Sequence, residues 1–581
     1  MKNINGFNKI SSAKVNWAKS EAVMVGDKLS DKLSLPEGLT WKKGGVKYLG
    51  VFLGEDSMLK KNWENVIEKI EGRLKKWKWL LPSMSYRGRT LIINNLVSSF
   101  LWHRLACVDP PPKLLSKIQG ILVDFFWDKL HWIPQAVLFL PKEEGGQGLV
   151  HLPSRGAAFR LQFIQRLLYG PEDLVWRPLA HLILQRFHGL GLNNSLFLMD
   201  FNAINFTNLP IFYRGVFTIW KLLVKERPEE SNSLFWLLQE PVVHGERLGT
   251  PCWAGSAVTE AFSRAGILTL ESVVNIAGPK LDNAAALTSK LGLRSVRNIN
   301  KLLDEHSLTG HECQMLEEYK KGLIMPHKED FFPCLSIRPD FGNCDGVFIG
   351  DKSLSLDLID AKGKKMYEMM VKCLNKEKLN GRVDTPWRSH LLMGEQIKPE
   401  WRSVYKPPLT KKVADLQWRV LHGIIAVNAF ISVMNQDITD KCPFCPCRET
   451  VFHCFLECKR LEPLFMLMER LFSHVGELFS KQMFIMGFKY KLKTKQKSQI
   501  MNFILGQAKM AIYISRKKKV ENAMDIEADL LFRRMVKARI MIDFNFYKAM
   551  KDFDQFQMIW TYGDILCSVI EEELLFALEF M

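Results

Sequence analysis

Residues 442–458, CPFCPCRETVFHCFLEC, constrain this chain more than any other stretch, because side-chain chemistry rather than packing explains them. Five of the 12 cysteines and one of the 13 histidines fall there. Cys442, Cys445, His453 and Cys458 are spaced C-x2-C-x7-H-x4-C. Three thiolates and an imidazole complete a tetrahedral zinc shell and leave no position for water. The spacing therefore predicts a structural Zn2+ that stabilises a small unit, not one that activates a nucleophile. Pro443 and Phe444 suit the tight turn between the first pair, and Thr450 suits the cap of a short helix carrying His453 and Cys458. Cys447 and Cys454 are further thiols close enough to compete for a place in the ligand set. A redox dithiol fits less well, since no βαβ pattern surrounds the C-x-x-C.

A chain of 581 residues exceeds a single core and is read as about three or four domains. The N-terminus, MKNINGFNKI, has no apolar run or cleavage signature, and charges interrupt the most apolar windows at 501–515 and 559–575. The expectation is a chain that is neither secreted nor membrane-spanning, placed in the nucleus, the cytoplasm or both. Cys107, Cys252, Cys313, Cys334, Cys344, Cys373 and Cys567 are then read as reduced, and the N-x-S/T matches at Asn193 and Asn205 as without meaning.

The net charge is +18, and its distribution is informative. Residues 57–104 hold ten Lys/Arg against three Glu (+7), and residues 487–520 hold ten Lys/Arg and no acid (+10). These windows carry 17 of the 18 units. Such confinement has the form of an electrostatic footprint for a polyanion, most simply nucleic acid. The competing reading is a set of ordinary solvated helix faces.

Taken in order, residues 1–56 read as a polar loop and a β-rich run at 46–54 that pairs with 21–26. From Met58 the apolar residues Leu59, Trp63, Val66, Ile70, Leu74, Trp77 and Leu81 recur every three or four positions, a long amphipathic helix with a basic outer side. Pro82 interrupts it, and Ser85 reads as the N-cap of a second helix whose first turn holds Arg87, Gly88 and Arg89. That turn suits a phosphate as well as it suits water. Phe125, Phe126 and Trp127 close a third helix and read as core. The six expected segments are 1–56, a palm-end remnant; 57–230, thumb-like and helical; 231–325, helical; 326–405, a connector or small mixed unit; 406–470, zinc-binding; and 471–581, basic and helical. Helices are expected over 414–430, 500–515, 528–552 and 556–580, with strands near 335–338 and 354–359. Arg516, Lys517, Lys518 and Lys519 also match a nuclear-import signal.

These residues resemble, in one consistent order, the C-terminal part of a LINE-type (non-LTR) retrotransposon reverse transcriptase. SSAKVNWAKSEA (11–22) resembles the segment after the catalytic palm motif, and KYLG (47–50) the primer-grip strand. RLKKW (73–77) and GRTLIIN (88–94) resemble the thumb. KPPLTKKVADLQWRVLHG (406–423) with the following CPFC…H…C resembles the zinc-binding segment, and LGQAKMAIYISRKKK (505–519) the tail beyond it. The resemblance implies an enzyme that copies its own RNA onto a nicked DNA end. It implies that Lys47, Tyr48, Leu49 and Gly50 hold the primer, and that Lys14 or Lys19 stands behind the active site. Arg73, Lys75, Lys76, Arg87 and Arg89 would follow the template–primer backbone. The zinc unit, Lys489, Lys491, Lys493 and the 516–519 tetrad would grip RNA.

One departure matters. Polymerases of this family hold two Mg2+ ions about 4 Å apart on paired aspartates, and no Asp-Asp occurs in this sequence. The expectation is therefore a mainly α, multi-domain, non-catalytic C-terminal part, with a small β-hairpin and a small zinc unit, that binds RNA or RNA–DNA duplex chiefly by phosphates. Two other readings stay open: an active polymerase whose catalytic part is encoded upstream, and a host-adopted scaffold whose zinc unit contacts protein.

Overall fold

The structure, a computed structural model, describes residues 2–11, 14–23, 35, 39–42, 44–128, 130–187, 192, 194–199, 206–226, 234–242, 256–305, 308–325, 335–349, 354–394 and 396–580. Residues 24–26, Asn193, Asn205, Cys252 and Cys334 of the readings above lie outside them. Helices dominate, and four sheets of two or three strands complete the described residues, so the fold is mainly α.

The 46–54 run is two strands rather than one. Gly45–Tyr48 and Val51–Gly54 pair with each other, antiparallel, with Tyr48 opposite Val51. Leu49 (φ 47°) and Gly50 (φ 83°) form a two-residue turn with both central residues left-handed, the geometry that matches the twist of a hairpin. Glu21–Val23 lies instead parallel to Thr40–Lys42. The 59–81 stripe also breaks in two, Asp56–Lys61 and Val66–Lys78, at Asn65, which turns left-handed (φ 54°). Asn62 explains the break: it is buried, and its side chain accepts from the Phe52 N–H and donates to the Phe52 carbonyl, both at 2.8 Å. A buried amide satisfied by strand backbone fastens hairpin to helix.

Ser85 caps the next helix, Tyr86–Leu91, accepting from the Gly88 N–H at 3.2 Å. Phe125, Phe126 and Trp127 are buried at the end of Leu114–Trp127. The strand signals near 335 and 354 become Ser336–Pro339 and Leu356–Asp357, joined by Leu223–Glu226 in an antiparallel three-stranded sheet.

The 556–580 segment is a correction. Helix Phe553–Trp560 is followed by a hairpin, Cys567–Ile570 against Glu573–Phe576. Its turn residues, Glu571 and Glu572, have φ of 50° and 62°. Two glutamates lack the Asn-Gly chemistry by which such turns are recognised, so the apolar spacing around them reads as helical.

Three main cores organise the described residues. The largest takes side chains from 63–152 and from 371–580, so the thumb-like and zinc-binding segments share one interior. Tyr86 packs on Phe126 and Trp418, with ring centroids 5.2 and 5.5 Å away, and its N–H donates to the Asp415 carboxylate at 3.0 Å. Trp418 and His422 both reach the Gly145 carbonyl at 2.8 Å. Gly145 has φ 88°, and a Cβ there would meet the Trp401 ring at 2.8 Å, which explains the glycine pair in EEGGQG. A second core packs Leu152–Tyr169 against Gly363–Leu374 and the three-stranded sheet. The third is a cluster of short helices within 234–316.

Candidate metal centre and basic surface

The zinc loop leaves the main core through Lys411–Leu421 and Asn428–Met434. A bridge between Lys441 and Arg448 closes the C-x-x-C turn, and the Cys442 N–H donates to the Cys447 carbonyl at 2.8 Å. Thr450 Oγ accepts from the His453 N–H at 3.0 Å and starts the turn that carries the last two ligands. On an α-helix, positions five apart point about 140° away from each other. Residues His453–Glu457 are wound more widely, with the Cys458 N–H donating to the His453 carbonyl at 3.0 Å, and this i→i+5 winding returns Cys458 to the side of His453.

The Sγ atoms of Cys442, Cys445 and Cys458 and a ring nitrogen of His453 all lie within 4.8 Å of one another, with Cys445 Sγ and His453 Nε2 3.2 Å apart. A tetrahedron with Zn–S near 2.3 Å and Zn–N near 2.0–2.1 Å has edges of roughly 3.5–3.8 Å, and the donor separations lie within about 1 Å of that geometry. Cys442, His453 and Cys458 are buried and Cys445 half-buried. A hydrogen bond between Cys442 and Cys458 pushes the first thiol up and lowers the second, so the donors compete for protons that a dication would displace. Cys447 is exposed and outside the cluster. Cys454 points into the core, where burial pushes its thiol up.

Behind the loop lies a polar junction. Glu449, 1% exposed, accepts from the Asn428 N–H at 2.6 Å and takes both carboxylate oxygens to Arg516, to Nε and Nη2 at 2.7 Å each. Arg516 also donates to Asn428 Oδ1 at 2.9 Å, and Asn428 Nδ2 to the Lys441 carbonyl at 2.7 Å. Burial opposes the charge on Arg516, but hydrogen bonds and the charge of Glu449 outweigh it and raise its pKa. The junction locks the zinc loop to Lys495–Asn522, the long helix of the C-terminal segment. Arg516, read from the sequence as a nucleic-acid contact, is therefore internal and fully engaged.

Arg89 is the second such correction. It is buried, and its guanidinium donates to the carbonyls of Phe126 and Leu81 at 2.7 Å each. Both arginines fall in basic stretches, and the partners that absorb them are distant in sequence or are backbone carbonyls, which pattern reading cannot see. Arg73 is exposed but leans on the Leu96 carbonyl (2.9 Å) and the Phe100 ring (4.6 Å). Lys75 and Lys76 project from Val66–Lys78 into solvent. Lys47 and Tyr48 are exposed beside the hairpin turn. Lys489, Lys491 and Lys493 are exposed on the stretch leading into Lys495–Asn522. At the far end of that helix, Lys517 pairs with Glu521 at 3.8 Å and Lys519 with Asp525 at 3.2 Å, while Lys518 is half-buried.

Arg87 is half-buried, and burial lowers its pKa within a range where it stays charged. It lines a cleft with Lys142, Arg402, Lys406 and Tyr490, which continues past Lys489 and Lys491. Of these residues the sequence reading singled out Arg87, Lys489 and Lys491. Arg402 and Lys406 stand in a proline-containing loop without periodicity, so nothing in the pattern marks them.

Two comparisons with known proteins bear on this arrangement. Residues 383–463 match the family described as zinc-binding in reverse transcriptase. The chain is also 29% identical over 584 residues to the Transposon TX1 uncharacterized 149 kDa protein of Xenopus laevis, across 96% of this chain and 43% of that protein. The chain thus spans less than half the length of this curated relative. Together with the converged Cys3His set, these matches support a protein related to non-LTR retrotransposon reverse transcriptases, with similarity to the reverse-transcriptase zinc-binding family over residues 383–463.

Proposed function

We propose that this chain is a nucleic-acid-gripping part of a retrotransposon reverse transcriptase, binding RNA or RNA–DNA hybrid mainly through phosphates and carrying out no nucleotide transfer of its own. A zinc ion held by Cys442, Cys445, His453 and Cys458 would neutralise their thiolates and fix the loop that anchors Lys495–Asn522. The helices from Val66–Lys78 onward would act as the thumb, with the Lys47–Tyr48 hairpin edge facing the primer end. A nuclear or cytoplasmic setting agrees with nucleic acid as the partner.

One observation carries this reading. Once Arg89 and Arg516 are set aside as internal, Lys75, Lys76, Lys489, Lys491 and Lys493 remain exposed, and none of them is ion-paired among the described residues. Their charge faces solvent with no carboxylate within ion-pairing distance among the described residues, as suits a polyanion site. Five phosphate contacts give a slope of log affinity on log salt of about −3.5 to −4.5, hence a loss of about 10²–10³ between 50 and 200 mM salt. Fluorescence anisotropy with a labelled RNA–DNA hybrid tests this, and an affinity that stays flat across that range contradicts it.

A further inference from the structure

A large cleft has two lobes, of about 1000 and 470 Å³, that share Glu143, Trp401, Arg402 and Tyr490. Three stretches distant in sequence form its walls. One is the 396–406 loop at the start of the zinc-binding segment. Another is 487–497, leading into the long C-terminal helix. The third is the capped turn at Arg87 with the 142–143 turn. The walls are fixed to one another and to the core. The Glu400 N–H donates to the Met486 carbonyl at 2.8 Å, the Phe488 N–H to Asn502 Oδ1 at 2.9 Å, and the Lys491 N–H to Ser498 Oγ at 3.3 Å.

The lining is strongly basic: eight Lys or Arg stand against three Glu. One glutamate, Glu477, is already paired with Lys497 at 2.5 Å. Arg87, Lys142, Arg402, Lys406, Lys489 and Lys491 form no ion pair among the described residues. Glu143 lies near Arg87, and Glu400 near Arg402 and Lys489, but the lining keeps a net positive charge whose self-repulsion a bound polyanion would relieve. Tyr490 stands where the lobes meet, half-buried, with its ring 5.7 Å from Lys406 Nζ. An aromatic face among backbone-tracking cations is the arrangement that stacks bases of a single strand. The two lobes together exceed the range of small-ligand sites, about 300–1000 Å³, and have room for a few nucleotides.

We infer that this cleft is a single-strand site, distinct from the exposed thumb-like helix, which takes a few unpaired nucleotides with phosphates on Arg402, Lys406, Lys489 and Lys491 and a base on Tyr490. The inference rests on the nucleic-acid reading above and names where the unpaired part of the ligand goes. RNA and DNA single strands share the chemistry the cleft recognises. An acidic peptide would satisfy the cations and leave Tyr490 unused.

The test uses the full 581-residue chain and four probes: a 12-nucleotide U-rich RNA, the same sequence as DNA, a blunt RNA–DNA duplex, and polyglutamate. The variants are Tyr490→Ala, Tyr490→Phe, and a triple Arg402→Ala/Lys489→Ala/Lys491→Ala. Arg402, Lys489 and Lys491 are exposed and Tyr490 is half-buried, and unchanged melting with retained zinc reports that each variant is folded. Tyr490→Ala is expected to weaken the single strands about tenfold, with Tyr490→Phe restoring wild-type affinity. The triple variant is expected to lower the salt slope for single strands by about 2. Duplex binding should change less than twofold in Tyr490→Ala, whereas the triple variant also removes two of the five lysines assigned to the hybrid and is read on the single strands. The ratio of RNA to DNA affinity reports which strand is preferred. Single-strand affinity untouched in all variants, with duplex still bound, overturns the cleft and leaves the nucleic-acid reading standing. Equal losses for single strand and duplex in Tyr490→Ala, or polyglutamate binding as tightly as RNA, also overturn it. Failure of wild type to bind any nucleic acid overturns both.

Discussion

Arg516→Ala separates an internal arginine from one that touches nucleic acid. Removing the guanidinium deletes two bonds to Glu449 and one to Asn428. Glu449, 1% exposed, would be left ionised in the core with the Asn428 N–H as its remaining donor. Breaking a buried pair from one side costs about 3–5 kcal/mol, because the surviving charge is uncompensated. Arg516→Lys keeps the charge but cannot reproduce the bidentate fork, so about 1–3 kcal/mol is expected. The double variant Arg516→Met/Glu449→Gln removes both charges and should recover most of the loss, giving a coupling of at least about 2 kcal/mol. A chain of this size unfolds in more than one step, so the transition to follow is the one coincident with zinc release, read in urea with a metallochromic chelator. RNA affinity of the folded Arg516→Lys chain should stay within twofold of wild type. The reasoning is refuted if Arg516→Ala leaves the zinc-linked transition in place while weakening RNA binding.

Three other outcomes follow from the same structure. Arg89→Met, which strands the carbonyls of Phe126 and Leu81, should lower stability by about 2–4 kcal/mol and leave the salt slope of RNA binding unchanged; a reduced slope at full stability contradicts it. Lys509 is fully buried, and burial lowers its pKa to about 7 from 10.5. Between those values the unfolded chain binds more protons than the folded one, so stability rises with pH across that interval. Lys509→Met should flatten the rise and stabilise the chain near pH 6.5, and melts that keep the same slope from pH 7 to 9.5 contradict it. Lys75→Glu/Lys76→Glu, both solvent-facing on Val66–Lys78, should weaken the RNA–DNA duplex at least tenfold at 100 mM salt without moving the melting temperature by more than about 1 °C; unchanged duplex affinity contradicts it.

What the sequence made legible is local. The convergence of Cys442, Cys445, His453 and Cys458, the Thr450 and Ser85 caps and the buried Phe125-Phe126-Trp127 run are all specified within a few turns of chain, where spacing and side-chain type suffice. Arg516 was not legible, because Glu449 lies 67 residues away and a basic tetrad reads the same whether one member is internal or not. The shared core of the thumb-like and zinc-binding segments was hidden similarly: Tyr86 and Asp415 meet across 329 residues. The C-terminal hairpin escaped because its turn is built from Glu571 and Glu572 in a conformation that favours Asn and Gly. The cleft was half visible, through Arg87, Lys489 and Lys491, but only the fold sets Arg402, Lys406 and Tyr490 beside them.

The central claim is that one zinc ion holds together the loop to which the C-terminal helix is locked. Metal content of the purified chain, measured by inductively coupled plasma mass spectrometry beside Cys442→Ser and His453→Ala, tests it most directly. The account predicts one zinc per wild-type chain and none in either variant. A wild-type chain without zinc, or variants that both keep it, would contradict it.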